Sequence, residues 1–236
     1  LRAGASISNS AIIDDSSLNE TGGSGEVNLQ IKEGNFALSS SNFYSTGNYA
    51  GLRRGALNLI QRATFRTEKY NFWAMLNMLQ FKPKAISSSE MLRATQFSTQ
   101  RYDAGVSRRF KNISLTLSPI YTTEWRKNQN FMTGEEDRFD MQSTDLSLGL
   151  NYSAMTSKHS LSFNLISGRY NSNVDLFSNF HAKTTLNYGY GKFRLSAFYQ
   201  HNHFTVSEII VSSQIAPDQA YSFVSIVPTY QNRYFK

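Results

Sequence analysis

Strict alternation of apolar and polar side chains constrains this chain more than any other feature. From Asn112 to Tyr121, Ile113, Leu115, Leu117 and Tyr121 fall on one side, with Asn112, Ser114, Thr116 and Ser118 on the other. Residues 145 to 152 repeat the pattern, with Leu146, Leu148, Leu150 and Tyr152 opposing Asp145, Ser147, Gly149 and Asn151. Leu161, Phe163 and Leu165 stand likewise against Ser160, Ser162 and Asn164. A period of two is the geometry of an extended strand, whereas an amphipathic helix requires apolar residues at three- and four-residue spacing.

Extending the same test along the 236 residues predicts about twelve strands, near 2–12, 25–32, 35–45, 54–66, 70–81, 92–108, 112–123, 141–153, 158–169, 180–189, 192–204 and 219–232. The stretch YNFWAMLNMLQF at 70–81 is apolar on both faces, so a short helix is the competing reading there. Connections between the predicted strands alternate between tight and long. The tight ones fall at Glu33-Gly34, Glu68-Lys69, Phe110-Lys111, Ala154 to Ser157 and Tyr190-Gly191. The long ones are residues 14–25, STGNYAGLR, KPKAISSSE, EWRKNQNFMTGEEDR, RYNSNVDLFSN and VSEIIVSSQIAPD. Nothing marks a linker, so residues 1–236 are read as one domain.

Composition narrows the class. No run approaches about 18 consecutive apolar residues, which excludes a transmembrane helix but leaves open a membrane strand, where only every second residue meets lipid. The chain has no Cys, which removes disulfides, thiolate metal sites and thiol catalysis. It is 14% aromatic and only 17% charged, the balance of strands and interfaces. The net charge of +7 comes from Lys and Arg scattered singly, which argues against nucleic acid as a partner. No charged n-region followed by an apolar stretch opens the chain, so no signal peptide is expected in it.

In pattern and composition, segments such as LSLGLNYSAM, KHSLSFNLISG and TTLNYGYGKFRLSAFYQ resemble the outer-membrane β-barrels of Gram-negative bacteria, porin-like in type. The resemblance covers nearly the whole chain and is one of class rather than of a family motif. It implies an antiparallel up-and-down transmembrane barrel of about twelve strands, with short periplasmic turns and long extracellular loops, located in the cell outer membrane. Both chain ends then fall on the short-turn side. The partners implied are the lipid bilayer, small solutes, and proteins meeting the long loops.

In such a barrel the apolar face meets lipid and the polar face lines the interior. The lipid set is then Leu57, Leu59, Phe65, Ile113, Leu115, Leu117, Leu146, Leu148, Leu150, Leu161, Phe163, Leu165, Leu186, Phe193, Leu195 and Ala197, with Tyr102, Tyr121, Tyr152, Tyr188 and Tyr199 in phase near strand ends. The charged members of the lumen set are Arg62, Arg66, Arg93, Arg101, Asp103, Asp145, Lys183 and Arg194. Cations outnumber anions, which suits anionic solutes. Alternatively these charges neutralise one another in a filled interior.

Catalytic and metal constellations find little support. His201 and His203, two residues apart on a predicted strand, share a face at its outer end, but no third ligand stands near, and an exposed rim pair is expected. An outer-membrane phospholipase pairs His with Ser two residues away on one strand and an Asn beside the Ser. Here the corresponding segment reads HNHF, and His159-Ser160 point to opposite faces. Glu135-Glu136-Asp137 lacks calcium-loop spacing, and Gly22-Gly23-Ser24-Gly25 reads as a flexible loop. Leu52-Arg53-Arg54-Gly55 reads as a basic rim. No cofactor, metal or catalytic residue is expected. Two functions stand close together: porin-like passage of small solutes, and a non-catalytic barrel portion of a larger secretion or surface assembly.

Overall fold

The computed structural model describes residues 2–12, 15–49, 53–83, 96–129, 136–153, 158–173, 179–209 and 221–230. They form one antiparallel sheet of twelve strands in sequence order. These are β1 (Arg2–Ile12), β2 (Asp15–Glu33), β3 (Phe36–Ser45), β4 (Ala56–Arg66), β5 (Tyr70–Phe81), β6 (Gln96–Phe110), β7 (Ile113–Gln129), β8 (Glu136–Ser153), β9 (His159–Ser172), β10 (Phe180–Tyr190), β11 (Phe193–His201) and β12 (Ser222–Tyr230). Each strand pairs with its sequence neighbours, and β1 and β12 form the two edges, with no contact between them among the described residues.

Residues 70–81 are a strand, paired with β4 and β6 along their whole length. Their double apolarity has a simple origin. Phe72, Ala74, Leu76 and Met78 share the face of Leu57 and Leu59, while Trp73, Met75 and Leu79 fill space on the opposite face among Arg62, Arg101 and Asp103.

Two predicted loops are strand instead. Residues 15–24 continue β2, pairing with β1 at Asp15 and from Glu20 onward across an irregularity in register, so the expected flexible glycine cluster is extended backbone. Gly22 serves close approach: a β-carbon there would overlap the backbone of Asn48 and Tyr49. Thr46 N–H donates to Gly23 O (2.9 Å), and Gly23 N–H donates to Thr46 Oγ1 (3.1 Å). In the same way β7 and β8 run on past Tyr121, pairing as far as Gln129 with Glu136, so the described part of the longest predicted loop is paired strand. Conversely, β11 stops at His201, three residues short of expectation, and the chain turns there.

The cross-strand register fixes the faces. Leu115, Leu150 and Phe163 align across β7, β8 and β9, with Leu161 and Tyr188 aligned beside them across β9 and β10. Every residue of the predicted lipid set falls on this apolar face, and it is exposed: Leu115 by 43%, Leu146 by 44% and Leu148 by 40%. On the other face Asp145 is 7% exposed and His181 0%. Burial thus follows polarity in the reverse of a water-soluble sheet, where the apolar face is covered.

Three glycines on the polar face lie opposite a large cross-strand neighbour and make room for it. A β-carbon at Gly105 would overlap the Trp73 ring, one at Gly168 the Asp145 carboxylate, and one at Gly189 the Arg194 guanidinium. A Gly168→Ala substitution is therefore expected to cost about 1–3 kcal/mol, as overpacking does. Gly4→Ala, with open space around it, should change stability by less than about 0.5 kcal/mol. Urea unfolding of the two variants in detergent compares them directly.

Candidate functional site

One register row crosses the polar face from β4 to β10. It runs Arg62, Met75, Asp103, Ile120, Asp145, Gly168 and His181. Two carboxylates on this row are each enclosed by donors. Asp103 accepts from Trp73 Nε1 (3.2 Å), from Arg101 Nη2 (3.2 Å) and from the Ser118 hydroxyl. The Ser118 oxygen also lies 3.1 Å from Ala104 O, so its single hydrogen is shared between the two acceptors. The next residue is Pro119, which has no N–H for the β6–β7 ladder, so the Ser118 hydroxyl satisfies a carbonyl left open there.

Asp145 is the more deeply set. Its Oδ2 accepts from Ser143 Oγ (3.0 Å), and its Oδ1 pairs with His181 Nε2. The other ring nitrogen of His181, Nδ1, lies 2.7 Å from the carbonyl oxygen of His203. That carbonyl can only accept, so Nδ1 carries a hydrogen. The ring is stacked on Phe204 at 4.1 Å between centroids and 6° between planes, with Tyr170 at 5.3 Å beside it.

His203 and Phe204 belong to a strap, residues 202–209, that leaves β11 and folds back over the polar face. The turn is made at Asn202, whose φ of 64° is left-handed and whose Nδ2 donates to Phe180 O (3.0 Å). Asn is among the residues that tolerate this conformation. A helical turn follows at 206–209. It places Val206 and Ile209 in a buried cluster with Met141 and Tyr170, flanked by Phe139. Polar ties surround the cluster. Glu208 accepts from Phe204 N–H (2.7 Å) and Gln200 Nε2 (3.2 Å), Glu124 accepts from Val206 N–H (3.2 Å), and Arg126 donates to Ser207 Oγ (2.9 Å).

The left-handed turn separates the two histidines expected to share an exposed rim. His201 stays on the apolar face, 3.0 Å from Ser222 Oγ, whereas His203 is 3% exposed and stacked on Tyr221. Burial holds the His203 imidazole below its ordinary value, against the opposing pull of Glu208, and its Nδ1 has no hydrogen-bond partner.

No protein-family model matches the chain, and no curated protein matches it in sequence. The reading therefore rests on the residues themselves. Among the predicted lumen residues, Arg62, Arg66, Arg101, Asp103, Asp145, Lys183 and Arg194 all share the polar face. Arg93 lies outside the described residues. Arg101 pairs with Asp103, Arg66 donates to Asn71 (3.2 Å), and the Lys183 ammonium sits over Phe198 at 5.3 Å and Phe204 at 5.9 Å. Among the described residues no carboxylate lies within ion-pair distance of Arg62, Lys183 or Arg194.

Sequence reasoning missed His181, Ser143, Tyr170, Glu124 and the strap. His181 was accessible by phase, being two residues before Lys183 on the same face. The 3-residue spacing of Val206 and Ile209 was the only signal for the helical turn. Chemically, the arrangement is a buttress. The Ser143 hydroxyl bonds to Asp145 and not to the imidazole, and both ring nitrogens are engaged, which leaves no free base beside a nucleophile. The acidic stretch at 135–137 has no described side chains, and Arg53 of the basic rim stacks on Phe43 at 5.1 Å.

Removing His181 strands a buried carboxylate, a change that costs about 3–5 kcal/mol in comparable pairs. His181→Ala should be destabilised in that range, and the His181→Ala, Asp145→Ala double variant by clearly less than the sum of the two single losses. A double-mutant cycle from denaturant unfolding measures the coupling.

Proposed function

We propose that this chain is an outer-membrane β-barrel wall that passes small anionic solutes along its polar face. The observation that carries the reading is the inverted polarity of the sheet, with Leu, Phe and Tyr rows exposed on one side and hydrogen-bonded Asp103, Asp145 and His181 enclosed on the other. In water such rows would associate, since exposed apolar patches beyond a few hundred Å² mark interaction or membrane surfaces. In a bilayer such rows are the surface required, and closure of the sheet against itself or further strands would pair the backbone groups of its two edges.

Strand length supports it. β7 holds 17 residues and β8 holds 18, where a tilted span needs about 9–11. Tyr102 and Tyr121 meet at 6.2 Å on the apolar face beyond the Leu rows, the level at which amphipathic rings suit the headgroup region.

The preference for anions follows from which charges are already satisfied. Asp103 and Asp145 are occupied by local donors, while Arg62, Lys183 and Arg194 face the interior without a carboxylate partner among the described residues. Fixed cations along a confined wall raise the local concentration of anions. A second reading, a wall segment within a larger barrel assembly, is favoured by β12. Val224 is 63% exposed and Ile226 64%, well above the other strands, because β12 has a neighbour on one side only.

Planar-bilayer recording of the refolded chain tests the first reading: discrete, anion-selective steps are expected, and a chain that inserts without conducting points to the second. The face assignment has its own test. Leu148→Arg and Phe163→Arg should each weaken folding into bilayers by about 2–4 kcal/mol if they sit near the midplane, with little effect of Ser147→Arg or Ser162→Arg. Equal losses at both pairs would contradict it.

A further inference from the structure

We infer that the strap at residues 202–209 is a detachable element, docked on the polar wall at neutral pH and released as the medium turns acid. The strap is joined to the wall by one small apolar cluster and a ring of polar ties, and it carries a buried imidazole, His203, whose protonation opposes docking. It narrows whatever space the polar face encloses, so its consequence for passage rests on the transport reading, but the docking itself does not.

The apolar part is limited. Val206 and Ile209, each 1% exposed, meet Met141 and Tyr170, with Phe139 alongside. Burial of two such side chains is set against the entropy of ordering eight residues, which offsets most of it. The polar ties therefore decide whether the strap stays.

The titratable and charged groups facing it come from every neighbouring element. From β7 come Glu124 and Arg126, from β8 Asp145, from β9 Tyr170, from β10 His181 and Lys183, and Tyr221 precedes β12. The strap itself carries His203 and Glu208. Phe204 N–H ends on Glu208 within the strap itself, and Val206 N–H ends on Glu124 of β7, whose burial holds the carboxyl above its ordinary value, so this wall tie persists in acid and works against release.

His203 acts in the opposite direction and from a higher ordinary value, near 6.5 against 4.5, so it sets the response as the pH first falls. Docked, it is buried and its Nδ1 has no partner, and burial disfavours the imidazolium. Released, it returns to the ordinary value near 6.5. The released state then binds the proton more readily, so docking is fully supported above that value and is lost as pH falls through it toward the lowered one.

The chain has no Cys, so a single introduced cysteine carries a spin label without background. A nitroxide at Ser207→Cys, an exposed strap position, is placed on the full chain in detergent micelles and its mobility followed by electron paramagnetic resonance from pH 8 to 4.5. A second sample carries the label at Lys192→Cys in the β10–β11 turn. The expected result is an immobilised strap label at neutral pH that becomes mobile on acidification, while the label at 192 is unchanged.

His203→Leu, which keeps an apolar side chain and removes the proton site, should lower the midpoint by about half a pH unit or more. A strap label whose mobility does not change with pH overturns the inference. So does mobilisation of both labels together, which reports opening of the sheet, and so does a midpoint that His203→Leu leaves in place. Conductance is read separately: absence of any channel argues against transport, whereas the labels report on the strap whether or not the chain conducts.

Discussion

Everything in this fold follows from which face of the sheet must avoid the surroundings. In a water-soluble sheet the covered face is apolar and holds the layers together without direction. Here the enclosed face carries carboxylates, an imidazole, hydroxyls and amides, so its cohesion is directional and each group needs a matched partner. That explains the density of specific bonds around Asp103 and Asp145, and why so few large apolar side chains are buried: Ile120, Met141, Tyr170, Val206 and Ile209 account for nearly all of them among the described residues.

A face assembled by hydrogen bonds leaves little freedom for neighbouring side chains. Trp73, Asp145 and Arg194 each lie across a glycine on the adjoining strand, where any β-carbon would displace them. Ser118 shows the same economy, since one hydroxyl contributes to the Asp103 shell and answers the Ala104 carbonyl beside Pro119. An interior-strand proline is ordinarily a mark against the strand. It is accommodated here because a polar side chain stands beside it to replace the missing donor.

Parity made the faces legible from sequence, because a period of two needs no knowledge of the partner strand. Leu115, Leu148 and Phe163 on one side and Arg62, Asp103, Asp145 and Lys183 on the other stand where alternation places them. Strand ends were less legible. Residues 15–24 and 124–129 are rich in Ser, Gly, Asn, Glu and Lys, which turn chemistry reads as loop, yet both are extended because a long partner strand pairs with them. Pairing of that kind is tertiary, and local propensity does not contain it. The His201–His203 pair failed for a different reason. A single left-handed residue, Asn202, breaks the alternation, and nothing before it in the sequence announces the break.

The buried Asp145–His181 pair lies at the meeting point of wall and strap, and this position gives it a role beyond stability. Ion pairs withdrawn from water often contribute little net free energy, because desolvation offsets attraction. What they fix is geometry: Asp145 orients the ring, the ring presents one N–H to the His203 carbonyl and its flat face to Phe204, and the strap is thereby held at one register along the wall. An apolar pair of the same volume would bury as much surface without selecting that register. Retaining polar groups at this point makes the contact between wall and strap specific, because each of them accepts only a matched partner.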